Sequence, residues 1–428
     1  MAQVEIRGVS LPTGEQTTIG IMDATLVDPA VLSKPRIIDA DGLLVLPGLV
    51  DLHTHLREPS PNPAETISTG TKAAAHGGYT AVFAMANTNP VTDTSDKVRQ
   101  LLNRLEICSA EVIPIGAITT GLQGLELSDL EAMHDLGVCL FSDDGHCVMD
   151  ATLMRQALLR VSAFGGVIAQ HSQDHNLAGH LAWLPDRPTG HETAEATGWP
   201  REAEASIVTR DVQLARDTGG HVHICHVSTA ESVEVLRWAK ANKIRVTAEV
   251  TPHHLLLDAE LLARGDTTFK VNPPLRNEED RLALRQGLAE SIIDIVATDH
   301  APHLFVDKDK PFTEAKPGMI GLEWALAVVI QTMVIPGLLN WSGVADRMSQ
   351  APARIGKISG RQGGRLSQGE PANLILIDPS SRCIVNQHNS YSMGRNNPYH
   401  GLDLPDPVQA TIWAGQPTYV STRFEDWT

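Results

Sequence analysis

Several features that would direct a chain to a membrane, a nucleic acid or an oxidising compartment are missing from this 428-residue sequence. Its five cysteines (Cys108, Cys139, Cys147, Cys225 and Cys383) are odd in number, scattered and without Cys-x-x-Cys spacing. That excludes a disulfide framework and reads as reduced thiols in a cytoplasmic protein, each a small buried hydrophobe. No apolar run is long and uninterrupted enough to span a bilayer. The opening MAQVEIRG lacks the basic flank and apolar core of a secretory leader. Positive charge is in deficit, with 34 Lys and Arg against 51 Asp and Glu and a formal net charge of -17. Such a field argues against nucleic acid and anionic lipid as partners, so an anionic ligand must be held by local cations. Internal repeats, heptads and low-complexity tracts are absent too. The remainder, 42% hydrophobic and 20% charged, is ordinary for a globular enzyme. Its length suits one large domain with a smaller accessory one.

From Leu43 onward, short aliphatic runs alternate with helix-length amphipathic segments. Eight strands are expected: one running up to Asp51, then Thr80–Met85, Glu111–Gly116, Cys139–Ser142, Val167–His171, His221–His226, Arg245–Val250 and Ile292–Thr298. Helices are expected between them, among them Ser68–His76, Ser95–Leu105, Ala151–Phe164, Glu202–Thr218, Thr229–Asn242 and Glu278–Ser291. This is the pattern of an α/β fold, a (β/α)8 TIM-type barrel over residues 48–355. Residues 1–47 and 356–428 read as strands broken by turns, including Ala372–Asp378, Cys383–Val385 and Val408–Trp413. The simplest arrangement joins both chain ends in one small accessory β-domain. The polar stretch Leu304–Gly321 after strand eight reads as a lid or binding loop.

Six candidate metal ligands fall at the ends of these strands: His53, His55, Asp144, His171, His226 and Asp299. Strand alternation puts His53 and His55 on one face. A lone His-x-His pair is weak evidence, and His221 with His223 supplies a second such pair in the same chain. His226 is expected opposite those two, with Cys225 on their side. Five strand ends converging on one barrel rim make the stronger pattern. Mixed imidazole and carboxylate donors suit zinc or a similar first-row ion, which acidifies a coordinated water. No lysine occurs between Lys97 and Lys240, so a carbamylated lysine on strand four is excluded and Asp144 is the substitute. In Asp143-Asp144-Gly145 one carboxylate would bind metal and the other cap or orient. Asp299 can be both ligand and proton shuttle.

Read together, PGLVDLHTHLREP, ANTNP, FSDDG, HICHVST, EVTPHH, KVNPPLR, ATDHAPH and GMIGLE resemble the class I dihydroorotases of the amidohydrolase superfamily over most of the length. Ala86 and Gln173 depart from the family pattern, which commonly has proline and an acid there. The resemblance implies metal-dependent interconversion of dihydroorotate and N-carbamoyl-L-aspartate in pyrimidine (UMP) biosynthesis. It implies one or two Zn2+ ions, with His53, His55 and Asp299 holding one, His171 and His226 a second, and Asp144 between. Substrate contacts implied are His55, Arg57, Asn87, Asn272, His303 and the backbone of Pro317 and Gly318. A homo-oligomer is expected, and an aspartate carbamoyltransferase is the candidate protein partner. Blander readings stay open at these residues: a surface ion pair for Arg57, turn-holding for Asn87 and Asn272, a helix cap for His303, and a structural role for His253 and His254. Two other functions also stay open, a dihydropyrimidinase- or hydantoinase-like hydrolase and a non-catalytic scaffold for that transferase.

Overall fold

A computed structural model describes residues 3–61, 63–178 and 199–427. Eight parallel strands form the barrel: Leu49–Thr54, Tyr79–Ala84, Glu111–Pro114, Leu140–Phe141, Val167–Gln170, Val222–Ile224, Val246–Val250 and Ile295–Val296. The first three strands pair in one sheet and the last five in another. Parallel bridges from Gly116 to Phe141 and from Thr54 to His300 link the two sheets into a ring. Each strand's ends lie within three residues of the expected ones, and every residue of strands one, two, five and eight is buried. Near-continuous aliphatic runs are what a sheet covered on both faces requires.

The helices start where side chains can satisfy their free backbone N–H groups. Thr66, Thr94, Asp150, Thr229 and Asn277 cap the helices Ile67–His76, Ser95–Leu102, Ala151–Ala163, Ala230–Ala241 and Glu278–Ala289. These caps set the loops that follow the carboxyl ends of the strands, the rim where barrel enzymes carry their chemistry.

The chain ends meet in an eight-stranded sheet in which Leu44–Pro47 lies between Gln3–Ser10 and Leu374–Ile377. Leu374 and Leu376 face the core of this sheet, with Ile6, Ile21, Ile412 and Trp427. Ile375 and Ile377, on the opposite face, join the main core around the barrel. That double burial explains an unbroken Leu-Ile-Leu-Ile strand.

Two details differ from expectation. The strand near Cys383–Val385 forms as Arg382–Ile384, but it pairs only with Asp403–Pro405 in a separate ribbon. Arg382 and Ile384 are exposed, so this strand has no apolar face to lay against the sheet. A further strand, Gln416–Val420, forms a hairpin with Val408–Trp413. Its turn is Ala414-Gly415, both at positive φ (49° and 75°), the geometry that matches strand twist.

Candidate metal centre and active site

All six expected ligands come together at the carboxyl rim. His53 Nε2 lies 3.3 Å from Asp144 Oδ1 and 3.5 Å from Asp299 Oδ1. His55 Nε2 lies 3.3 Å from Asp144 Oδ2 and 3.0 Å from Asp299 Oδ1. His171 Nδ1 and His226 Nε2 are 2.9 Å apart, at 3.4 and 3.3 Å from Asp144 Oδ1. All six side chains are buried. They form two overlapping sets: His53, His55 and Asp299, and Asp144, His171 and His226.

The backbone does part of the aiming. His53 and His55 share a face by alternation, as expected. His226 and Asp299 lie past the ends of their strands at φ 32° and 45°, and Arg57 follows at φ 59°. Left-handed backbone at non-glycine residues costs energy and concentrates at functional sites. Because His226 has left the strand, it and Cys225 both approach the centre, and Cys225 joins a third close group with His53 and Asp144. Alternation therefore fails for this pair. Asp143 and Asp144 have separated roles: Asp143 accepts from the backbone N–H groups of Ile118 and Thr119 and from the Thr119 hydroxyl, while Asp144 faces the imidazoles.

The outer nitrogens of three histidines show which tautomer each holds. His53 Nδ1 donates to Glu249 Oε1 (2.6 Å) and His171 Nε2 to Gln173 Oε1 (3.0 Å). Asn87 donates from Nδ2 to the Asp144 carbonyl, which turns its oxygen toward His55 Nδ1 at 2.9 Å. Each ring then presents a lone pair to the centre, as metal-binding histidines do. His53 Nε2 is buried without a hydrogen bond despite its two carboxylate neighbours. Inward lone pairs facing carboxylate oxygens need a cation between them, so this donor set fits a divalent ion. Without an ion, Asp144, Glu249 and Asp299 raise the His53 pKa against the effect of burial, and the protonated ring holds the Asp144 and Asp299 carboxyls well below the usual carboxylate range; a bound cation would take the place of that proton.

A cavity of about 550 Å³ opens over the centre, lined by His55, Arg57, Asn87, Asn272, His303, Pro317 and Gly318 among others. Every expected substrate contact thus borders it. Arg57 donates to the Pro302 carbonyl (3.3 Å) and forms no ion pair among the described residues. Asn272 donates to Gln173 Oε1 (3.1 Å), so the amide oxygen standing where an acid is common serves both His171 and Asn272. His303 Nε2 donates to the Pro317 carbonyl at 2.7 Å, and burial with the nearby Arg57 cation pushes its pKa down to about 2. It is a neutral donor, and no helix begins at it. His254 is tied to Thr251 Oγ1 and the carbonyls of Pro273 and Pro274, a structural role. His253 is buried with neither ring nitrogen hydrogen-bonded.

The Dihydro-orotase-like family model matches residues 42–232. The dihydroorotase of Streptomyces coelicolor is 51% identical over 99% of this chain and 100% of its own length. Those of Mycobacterium tuberculosis and Bacillus subtilis are 48% and 40% identical over 97% and 96% of the chain, covering 98% and 94% of theirs. The chain belongs to the dihydroorotase family. Among solved structures, the L-hydantoinase of Arthrobacter aurescens superposes with a TM-score of 0.88 at 23% identity, covering 97% of this chain and 96% of its own. The dihydropyrimidinase of Brevibacillus agri gives 0.87 at 21%, covering 98% and 95%. These neighbours support the barrel fold, and family membership with the clustered donors implies a metal cofactor.

Three participants were missed in the sequence. Glu249 bridges His53 Nδ1 and His223 Nε2, and accepts from the His226 backbone N–H at 3.2 Å. Burial opposes its ionisation, but His53 and His223 hold its pKa down to about 2. Asp51 accepts from the Thr298 N–H and hydroxyl and the His53 N–H, tying strand one to strand eight. A carboxylate within an aliphatic strand was the available signal for both. His146, just past the FSDDG motif, lines the cavity rim. Glu249→Gln should weaken metal binding or activity by about 10- to 100-fold, because neutral glutamine orients His53 less strongly. Activity titrated against added zinc tests this, and an unshifted curve would contradict it.

Proposed function

We propose that this chain catalyses the reversible ring opening of dihydroorotate to N-carbamoyl-L-aspartate, a step of pyrimidine biosynthesis. The observation that carries the reading is Arg57, a guanidinium facing the cavity beside the ligand cluster without an ion-pair partner among the described residues. Burial pushes its pKa down, while Asp299 and Asp144 counter that, and a substrate carboxylate would complete the compensation. Neutral hydantoin and dihydropyrimidine rings carry no such group.

His53, His55, Asp144, His171, His226 and Asp299 would hold one or two ions, for which zinc is our assignment on the imidazole-carboxylate donor set. When bound, the metal would polarise the ring carbonyl and acidify water. Asp299 Oδ1, 3.0 Å from His55 Nε2, sits where it can take the proton of the attacking water. The water oxygen bonds to the carbonyl carbon, the ring carbon–nitrogen bond breaks, and Asp299 returns the proton to the leaving nitrogen. Asn87, Asn272 and neutral His303 supply the hydrogen-bonding wall that orients the ring.

Purified, zinc-loaded protein should open dihydroorotate in an ultraviolet assay and leave dihydrouracil and hydantoin largely untouched. Equal turnover of the neutral rings would favour the hydantoinase-like alternative instead. Arg57→Ala should raise KM roughly 30-fold, the equivalent of about 2 kcal/mol for a lost charged hydrogen bond. An unchanged KM would remove Arg57 from substrate binding. Keeping all six donors argues against a purely supporting scaffold.

We also divide the chain at 47/48 and 355/356 into the barrel and the composite β-domain. Five free cysteines support a cytoplasmic setting. A homo-oligomer and an association with aspartate carbamoyltransferase are the assembly states to test, by light scattering alone and with that enzyme added.

A further inference from the structure

The loop after strand eight contains one short helix, Phe305–Lys308, and is otherwise irregular up to Gly321. Its backbone nevertheless has fixed partners. The Gly318 N–H donates to the Lys270 carbonyl (2.8 Å), and the Gly318 carbonyl accepts from Asn396 Nδ2 (3.0 Å). Gly318 sits at φ 147°, and a Cβ there would lie 2.6 Å from His303 Nε2, so only glycine lets this peptide rest against His303.

Lys308 reaches into the middle of this arrangement. Its side chain is only 8% exposed. Nζ donates to the carbonyls of Lys270 (3.2 Å), Lys316 (3.0 Å) and Gly318 (3.1 Å), three acceptors that would use every N–H of an ammonium and favour that form, although burial and the nearby Lys270 cation pull its pKa down to about 7. It forms no ion pair among the described residues. Lys270 enters from the facing segment, with Nζ donating to the carbonyls of Phe312 (2.7 Å) and Thr313 (3.1 Å). An apolar side chain would fill the same space without the cost of burying an ammonium. What the ammonium adds is direction: three carbonyl dipoles point at one spot and would repel one another without it.

We propose that Lys308 is a positioning residue, its ammonium fixing the Pro317–Gly318 peptide and the Asn272-bearing segment together at the cavity wall. It touches neither substrate nor ligands and acts through the carbonyls of Lys270 and Gly318. The proposal rests on the dihydroorotase reading only for its choice of substrate.

Lys308→Met keeps length and removes the donors. It should raise KM for dihydroorotate about 10- to 100-fold, the scale of a small misplacement of binding groups, with kcat changed far less and metal content unchanged. Lys308→Arg should not rescue, because a planar fork cannot aim three N–H groups at one cluster of carbonyls. Chymotrypsin should cut the loop at Phe305 or Phe312 faster in both variants, a readout independent of the substrate. If Lys308→Met does not fold, Thr267→Val decides, since Thr267 Oγ1 donates to the Lys308 carbonyl at 2.6 Å. It should raise KM in the same direction by a smaller factor. Unchanged KM and unchanged loop cleavage, or full rescue by arginine, would overturn the proposal; wild-type inactivity on dihydroorotate with faster loop cleavage in the variants would fault the substrate reading alone.

Discussion

Replacing Asp299 with asparagine should lower kcat by about 10³-fold or more, since general acid–base transfer alone contributes roughly 10²- to 10⁴-fold. Asparagine is the informative choice. It matches the size of aspartate and tolerates the left-handed backbone at φ 45° better than alanine does. The amide can still contact His55 Nε2, now 3.0 Å from Asp299 Oδ1, but it cannot carry a proton at neutral pH. The fold should survive, as judged by circular dichroism and a melting temperature within a few degrees of wild type. Near-wild-type turnover in Asp299→Asn, or in Asp299→Ala, would remove this residue from the proton path.

Stripping the protein with a chelator should abolish turnover, and zinc should restore it. The barrel should remain folded, because its hydrophobic clusters do not involve the centre. Its melting temperature should nevertheless fall. A ligand that binds only the native state stabilises it by RT ln(1 + [L]/Kd), about 4 kcal/mol at a thousandfold excess over Kd. Removing the ion also leaves His53 Nε2 buried without a hydrogen bond. Full activity in protein shown by elemental analysis to be metal-free would end the assignment of these residues as ligands.

How far the sequence could be read follows from what each residue depends on. The strands were legible because a buried parallel strand needs little beyond a short aliphatic run, as in Tyr79–Ala84 and Val167–Gln170. The ligands were legible because they follow such runs directly. Alternation handled His53 and His55, which lie in or beside one strand, and failed for Cys225 and His226, where the backbone turns left-handed. Asp143 and Asp144 could not be told apart in sequence. The loop Ile118–Thr119 that claims Asp143 is some 25 residues away and enters only through tertiary packing. Glu249, Asp51 and Lys308 were missed for the same reason: a charged residue discloses its role only when its partners arrive from other parts of the chain.

The tie made by Asp51 sets an order of events for the growing polypeptide. Its partner Thr298 lies 247 residues downstream, and Asp299 lies 244 residues beyond His55. No nascent chain shorter than about 300 residues has both halves of the centre. The set of His53, His55 and Asp299 therefore cannot close until most of the protein has left the ribosome, whereas the residues of the other set, Asp144, His171 and His226, have all been made by residue 226.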